Sequence, residues 1–214
     1  MPFINQVVST ASEDRLERMI AARVAPGATA EDKAEIDRRI WNLFGERWAV
    51  MFTDLSGFSR RVAEFGIIHF LQTIHESHRL LIPCIEHHGG ILLKLEGDSM
   101  LVIFRDPAEA LQAAVEMQRC CSKYNEDTEP EEQILMCIGL GFGDVLRIGD
   151  RDVFGAEVNA ASKLGEDTAA AFDILVTGAF FDAVKGQSLG GVEFANTGVA
   201  PPGATTSYKA TYSV

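Results

Sequence analysis

From Trp48 onward, short runs rich in β-branched and aromatic residues alternate with long amphipathic segments, and that order constrains the fold more than any other feature. Residues 48–53 (WAVMFT) read as a strand, and one helix is expected over about 58–88, ended at His88-Gly89-Gly90. Residues 91–96 (ILLKLE) and 99–104 (SMLVIF) then form a hairpin. A second long helix, 108–124, carries Ala110, Leu111, Ala114, Val115 and Met117 on its apolar face. Residues 134–142 and 145–148 read as another hairpin, turning at Gly143-Asp144. A helix near 158–170, a strand at 174–177, a short helix and two terminal strands complete the pattern. The strand-helix-strand repetition predicts an α+β sandwich with helices on one face of the sheet.

The first 46 residues read as a separate helical arm ahead of a domain at 47–214. Ser12 is expected to cap a helix running to about Ala22, with a break at Pro26-Gly27, and Thr29 to cap a second. Ile36, Ile40, Leu43 and Phe44 share one face of that second helix. Two short helices make no core alone, so the arm must dock on its own domain or on a partner. A regulatory partner acting through it is one expectation.

The net charge of −12 argues against a nucleic-acid ligand, because phosphate-backbone binding needs clustered Lys and Arg. It leaves room for a small phosphate ligand held through a metal cation. Cys84, Cys120, Cys121 and Cys137 have no zinc-ligand spacing and suit a reducing cytoplasm. Neither a signal peptide nor a membrane-spanning run is evident, so a cytoplasmic protein without a membrane segment is expected.

Two carboxylates stand out. Asp54 ends the first strand in FTDLSGFS, and Asp98 occupies the tip of the hairpin in KLEGDS. In a ferredoxin-like sheet these strands are neighbours, so the carboxylates converge and repel unless a cation lies between them. Hard oxygen ligands of this kind suit Mg2+ or Mn2+, which also bind substrate phosphates. Directly after Asp54, Ser56, Gly57, Phe58 and Ser59 open a helix whose free N–H groups favour a triphosphate. Each aspartate alone is equally explained as a helix cap or a turn residue; the pair behind two apolar strands favours metal.

FTDLSGFS at 52–59, KLEGDSMLVIF at 94–104 and DVFGAEVNAASKL at 152–164 occur in the order and spacing of one family. Over roughly 47–214 the chain resembles the bacterial class III adenylyl/guanylyl cyclase catalytic domain. The resemblance implies cyclisation of a nucleoside triphosphate to the 3′,5′-cyclic monophosphate and pyrophosphate. It implies two Mg2+ or Mn2+ ions per site on Asp54, Asp98 and the Leu55 carbonyl. Lys94 and Asp152 match the base-reading positions: lysine donates to adenine N1 and aspartate accepts from the N6 amino group. Cytosine offers the same pattern, so ATP is expected and a pyrimidine substrate stays open. Asn159 and Lys163, four apart on one helical face, match the asparagine and arginine that steady ribose and transition state. Lysine keeps that charge without the bidentate fork.

The terminal hairpin also departs from the family. Its Ala195-Asn196-Thr197-Gly198-Val199 segment lacks the usual triphosphate lysine, and Lys209 lies on the far strand. A cyclase-like domain that binds nucleotide and signals by contact therefore stays open as a second reading. Since the family builds each site from two chains and this chain carries both halves, a homodimer with two shared sites is implied. Other features have simpler readings. His75 and His78 read as surface or packed histidines, His87-His88 as complements to a helix dipole, and Gly139, Gly141 and Gly143 as strand and turn glycines.

Overall fold

The computed structural model describes residues 11–213, with residues 58–61 described by backbone alone. In chain order, α1 (Ala11–Arg23) and α2 (Ala30–Phe44) precede β1 (Gly45–Leu55), and α3 (Phe58–Phe65) and α4 (Ile67–His87) follow it. The hairpin β2 (Ile91–Glu96) and β3 (Ser99–Phe104) leads to α5 (Pro107–Asn125), β4 (Met136–Ile148) and β5 (Asp152–Phe154). Next, α6 (Ala156–Ser162) runs into a π-helical turn at Lys163–Thr168. The chain closes with β6 (Ile174–Thr177), α7 (Gly178–Val184), β7 (Glu193–Asn196) and β8 (Ser207–Thr211). The sheet order is β2-β3-β1-β4-β6-β8-β7, with β5 paired to the end of β4. Only the β4–β6 pair is parallel among the described strands. The class is α+β, as expected.

Side chains along β1 are buried on both faces, and alternate residues join two separate clusters. Ala49 and Met51 face a large core against α4, α5 and α7, joined by Leu81, Phe104, Met117 and Phe180. Each fully buried Leu, Met or Phe among them contributes about 1.5–3 kcal/mol. Trp48, Val50 and Phe52 face the other way, toward Leu101, Val153 and Val158. Helices therefore cover both faces of the sheet, where one was expected. The cause lies in β4. Ile138 and Leu140 enter the main core, whereas Gly139 and Gly141 face α6 with no side chain between. A Cβ at Gly139 would run into the backbones of Ala161 and Gly165, and one at Gly141 into that of Glu157. The glycines thus let α6 lie directly on the sheet.

Three further expectations need correction. Gly143-Asp144 is no turn: β4 runs through it, with Gly143 opposite Trp48 and Asp144 opposite Arg47. The helix expected over 58–88 is two helices, because Gly66 adopts φ +88° and its N–H closes α3 onto Val62 O at 2.9 Å. Ser12 lies within α1 and so caps nothing. Thr29 does cap α2, in a reciprocal box with Asp32.

The arm docks on its own domain. Leu16, Met19, Ile36, Ile40 and Phe44 pack against Leu146 and Ile148 of β4. Arg23 clamps Asp37 through two hydrogen bonds, of 2.5 and 3.0 Å, tying α1 to α2. No helix among the described residues is long and apolar enough to cross a membrane.

Candidate active site

Asp54 sits one residue from the end of β1, and the β2–β3 hairpin brings Asp98 to it. Thr53 pairs with Met100, and the Met100 N–H donates to the buried Thr53 Oγ1 at 3.2 Å, locking the register. Glu96 pairs with Ser99, leaving a two-residue tip of Gly97 (φ +63°) and Asp98. A glycine of positive φ in the first position suits a type II′ turn. Ser99 Oγ donates to Asp54 Oδ1 at 3.4 Å. The two carboxyls act directly on each other. Burial, then the charges of Asp98 and Glu166, pushes Asp54 up to about 6. Burial likewise raises Asp98, whose Oδ2 is buried without a hydrogen-bond partner. Neither carboxylate has a Lys or Arg partner among the described residues.

Beyond Leu55 the backbone turns. Ser56 N–H donates to Leu135 O at 2.7 Å, and Gly57, at φ +80°, precedes α3 without a side-chain cap. The helix opened by Ser56, Gly57, Phe58 and Ser59 is therefore present; the side chains of Phe58 and Ser59 lie outside the described residues.

Across the sheet from the main core, Lys94 Nζ and Asp152 Oδ2 are 2.6 Å apart and only partly exposed. β2 carries the lysine and β5 the aspartate, which also accepts from Val153 N–H at 2.9 Å. They line a cavity of about 220 Å³ with Phe52, Ser99, Val158 and Glu166. An ammonium donor and a carboxylate acceptor thus stand side by side above apolar walls, a composition suited to a flat heteroaromatic ring.

Asn159 and Lys163 are separated by one helical turn, since Lys163 N–H donates to Asn159 O. Their side chains are engaged elsewhere. Asn159 Nδ2 donates to Pro202 O at 2.9 Å, and Lys163 Nζ pairs with Asp167 Oδ2 at 2.8 Å on the surface. Lys209 lies opposite Ala195 and pairs with Asp173 at 2.5 Å.

Glu166 escaped the sequence reading. The π-helical turn carries it into the cavity, and Ser162 Oγ donates to its Oε2 at 2.7 Å. No motif announces it, because a π-turn has no reliable residue signature and changes which side chains share a face.

Residues 45–202 match the adenylate and guanylate cyclase catalytic domain family. An adenylate cyclase of Streptomyces coelicolor is 30% identical over 149 residues, covering 69% of this chain and 35% of that protein. One of Mycobacterium tuberculosis is 26% identical over 196 residues, covering 84% and 43%. The chain thus spans less than half the length of these relatives. A solved adenylate/guanylate cyclase/hydrolase from Silicibacter pomeroyi superposes with a TM-score of 0.66 at 27% identity, over 77% of this chain and 97% of that one. With the whole run from β1 to the terminal hairpin's loop inside the matched region, the chain belongs to the adenylate and guanylate cyclase catalytic domain family.

Proposed function

We propose that this domain is an adenylate cyclase, converting ATP to 3′,5′-cyclic AMP and pyrophosphate at two sites shared between the chains of a homodimer. The observation that carries the reading is the Asp54–Asp98 pair. Two half-buried carboxyls, one at the end of a strand and one at a hairpin tip, without a cationic partner among the described residues and with one orphaned oxygen, are costly to hold together alone. They fit Mg2+ or Mn2+, which take oxygen donors of this kind, with the Leu55 carbonyl at the strand end as a third ligand. When bound, two such ions supply Lewis-acid stabilisation of the 3′-oxyanion and of the triphosphate.

In the reaction the ribose 3′-oxygen bonds to the α-phosphorus as the bond from that phosphorus to the bridging oxygen breaks. Pyrophosphate leaves with the electron pair, and the 3′-hydroxyl proton passes to solvent. Lys94 and Asp152, from the same chain as Asn159 and Lys163 and opposite the metal-holding chain, read the base: the lysine donates to adenine N1 and the aspartate accepts from the N6 amino group, which fixes the base and hence the ribose. Guanine presents the opposite pattern and leaves both groups unsatisfied. The helix opened by Ser56, Gly57, Phe58 and Ser59 offers free N–H groups to the triphosphate. Asn159 and Lys163, from the partner chain's α6 and π-turn, orient the ribose and stabilise charge at the α-phosphate. Both must first leave their contacts with Pro202 and Asp167, which ATP and the second chain would replace.

Those same contacts favour a second reading, a domain that binds nucleotide without turning it over. Incubating purified protein with ATP, GTP, CTP and UTP plus Mn2+, with products identified by mass, separates the readings. Cyclic AMP alone, absent with Asp54→Ala, is the expected result. A cyclic pyrimidine nucleotide would change the substrate. Metal-dependent binding without product would favour the second reading.

A further inference from the structure

We infer that the chain carries a Zn2+ site built from His87, His88 and Glu116, on the side of the sheet opposite the Lys94–Asp152 cavity. His87 ends α4 and His88 caps it, while Glu109 and Glu116 stand two turns apart on α5. Glu116 Oε2 lies 3.1 Å from His87 Nδ1 and 2.7 Å from His88 Nε2. One donor atom from each of the three side chains falls within 4.8 Å of the others. Donors about 2.0–2.2 Å from a tetrahedral Zn2+ stand about 3.4 Å apart, so small side-chain rotations complete the set.

The state of His88 makes the case sharper. Its side chain is 12% exposed, and each ring nitrogen faces a carboxylate: Nδ1 to Glu109 Oε2 at 2.8 Å, Nε2 to Glu116 Oε2 at 2.7 Å. A neutral ring has one proton, so one nitrogen would turn a lone pair toward an anion. Either a second proton or a metal cation at Nε2 resolves the conflict, and the convergence of His87 and Glu116 on the same point favours the metal. Glu109 then accepts from Nδ1–H, and Nε2 and Glu116 share the ion, an arrangement of carboxylate, histidine and metal that fixes the tautomer. Two imidazoles and a carboxylate suit Zn2+ and disfavour Mg2+, which distinguishes this set from the all-oxygen pair at Asp54 and Asp98. His87, 71% exposed, leaves the fourth position open to water and gives the ion a route in. Bound there, Zn2+ joins the end of α4 to the middle of α5. The inference stands whether or not the chain cyclises ATP.

The test is calorimetric titration of the full chain with Zn2+ in excess Mg2+ and a non-thiol reductant, paired with Co2+ absorption. One ion per chain is expected, bound tighter than about 10 µM. His87→Ala and Glu116→Gln should each weaken it at least tenfold, and Glu109→Gln by about tenfold through the tautomer. Asp98→Asn and Cys120→Ser should leave it unchanged. Both His87 and Glu116 are exposed enough for their variants to fold. Three outcomes overturn the site: no saturable binding below about 100 µM, binding that survives both ligand variants, or loss with Cys120→Ser. In the last case a sulfur-to-cobalt charge-transfer band would put the ion on Cys84 and Cys120, whose sulfurs lie 3.6 Å apart. With binding absent, His88 is held only by its hydrogen bonds to Glu109 and Glu116.

Discussion

At Asp54 the cost of the proposed metal site takes the form of a proton equilibrium. Burial first, and the charges of Asp98 and Glu166 after it, raise this carboxyl from 3.8 to about 6. A raised acid binds its proton more tightly in the folded chain than in the unfolded one. Its stabilising contribution is therefore full below pH 3.8 and lost as pH rises through about 6. Metal-free protein should accordingly melt at a lower temperature at pH 7 than at pH 5, with Asp54→Asn flattening that slope. Thermal melts in chelator check this directly, and Mn2+ added at pH 7 should restore the lost stability. Lys94 calls for a different experiment. Lys94→Ala removes the proposed donor to adenine and leaves Asp152 without its 2.6 Å partner. Losing one hydrogen bond to a charged group costs about 1.5–3 kcal/mol, so kcat/KM for ATP should fall about 10- to 100-fold. The fall should be smaller for a nucleotide already misread by the pair, as steady-state kinetics with GTP would reveal.

The elements of the sheet show why the α6 segment stands where it does. Gly139 has the backbones of Ala161 and Gly165 where a side chain would be, and neither can yield without moving α6 or the π-turn. Gly139→Ala should cost about 1–3 kcal/mol by overpacking, read as a Tm lowered by about 2–12 °C. Activity at a permissive temperature should drop further than stability predicts, because Asn159, Lys163 and Glu166 ride on the displaced segment. Gly143, by contrast, meets only the flexible Glu157 side chain, so Gly143→Ala should be milder. The same glycines mark the limit of what local pattern conveys. Short apolar runs, and for β2 and β3 a two-residue turn between them, identify β2, β3 and β6 with correct ends, since these strands are specified within their own residues. Gly143-Asp144 has turn chemistry, yet its glycine serves contact with a helix more than ten residues away, which no local pattern encodes. Gly66 could have been read as a helix break, and it is the isolated glycine whose positive φ decides. The convergence of Asp54 with Asp98, and of Lys94 with Asp152, was legible because motifs carry those residues. Glu166, and the carboxylates around His88, come from α5 or a π-turn and are visible only once the elements pack.

At the scale of the whole molecule the two halves of the proposed site belong to different chains in each working unit. In the proposed dimer Asp54 and Asp98 would act from one protomer and Lys94, Asp152, Asn159 and Lys163 from its partner, so a symmetric dimer would hold two equivalent sites. This arrangement predicts complementation. An Asp54→Asn chain contributes no metal site, and an Asn159→Ala chain no ribose contact, so each homodimer is inactive. Mixed after unfolding and refolding together at equal concentration, half of all dimers contain one chain of each kind. Each mixed dimer has one site that carries both substitutions and one that carries neither. Activity should therefore return to about a quarter of wild type. A site contained within one chain gives no recovery at any ratio, and that result would end the shared-site reading while leaving the Asp54–Asp98 chemistry standing. The arm adds a control. Because α1 and α2 pack on Leu146 and Ile148 of their own β4, deleting residues 1–44 exposes those side chains and should lower stability. If the arm also sets the dimer equilibrium, the truncated pair should show a complementation yield that rises with protein concentration, measurable by the same assay across a dilution series.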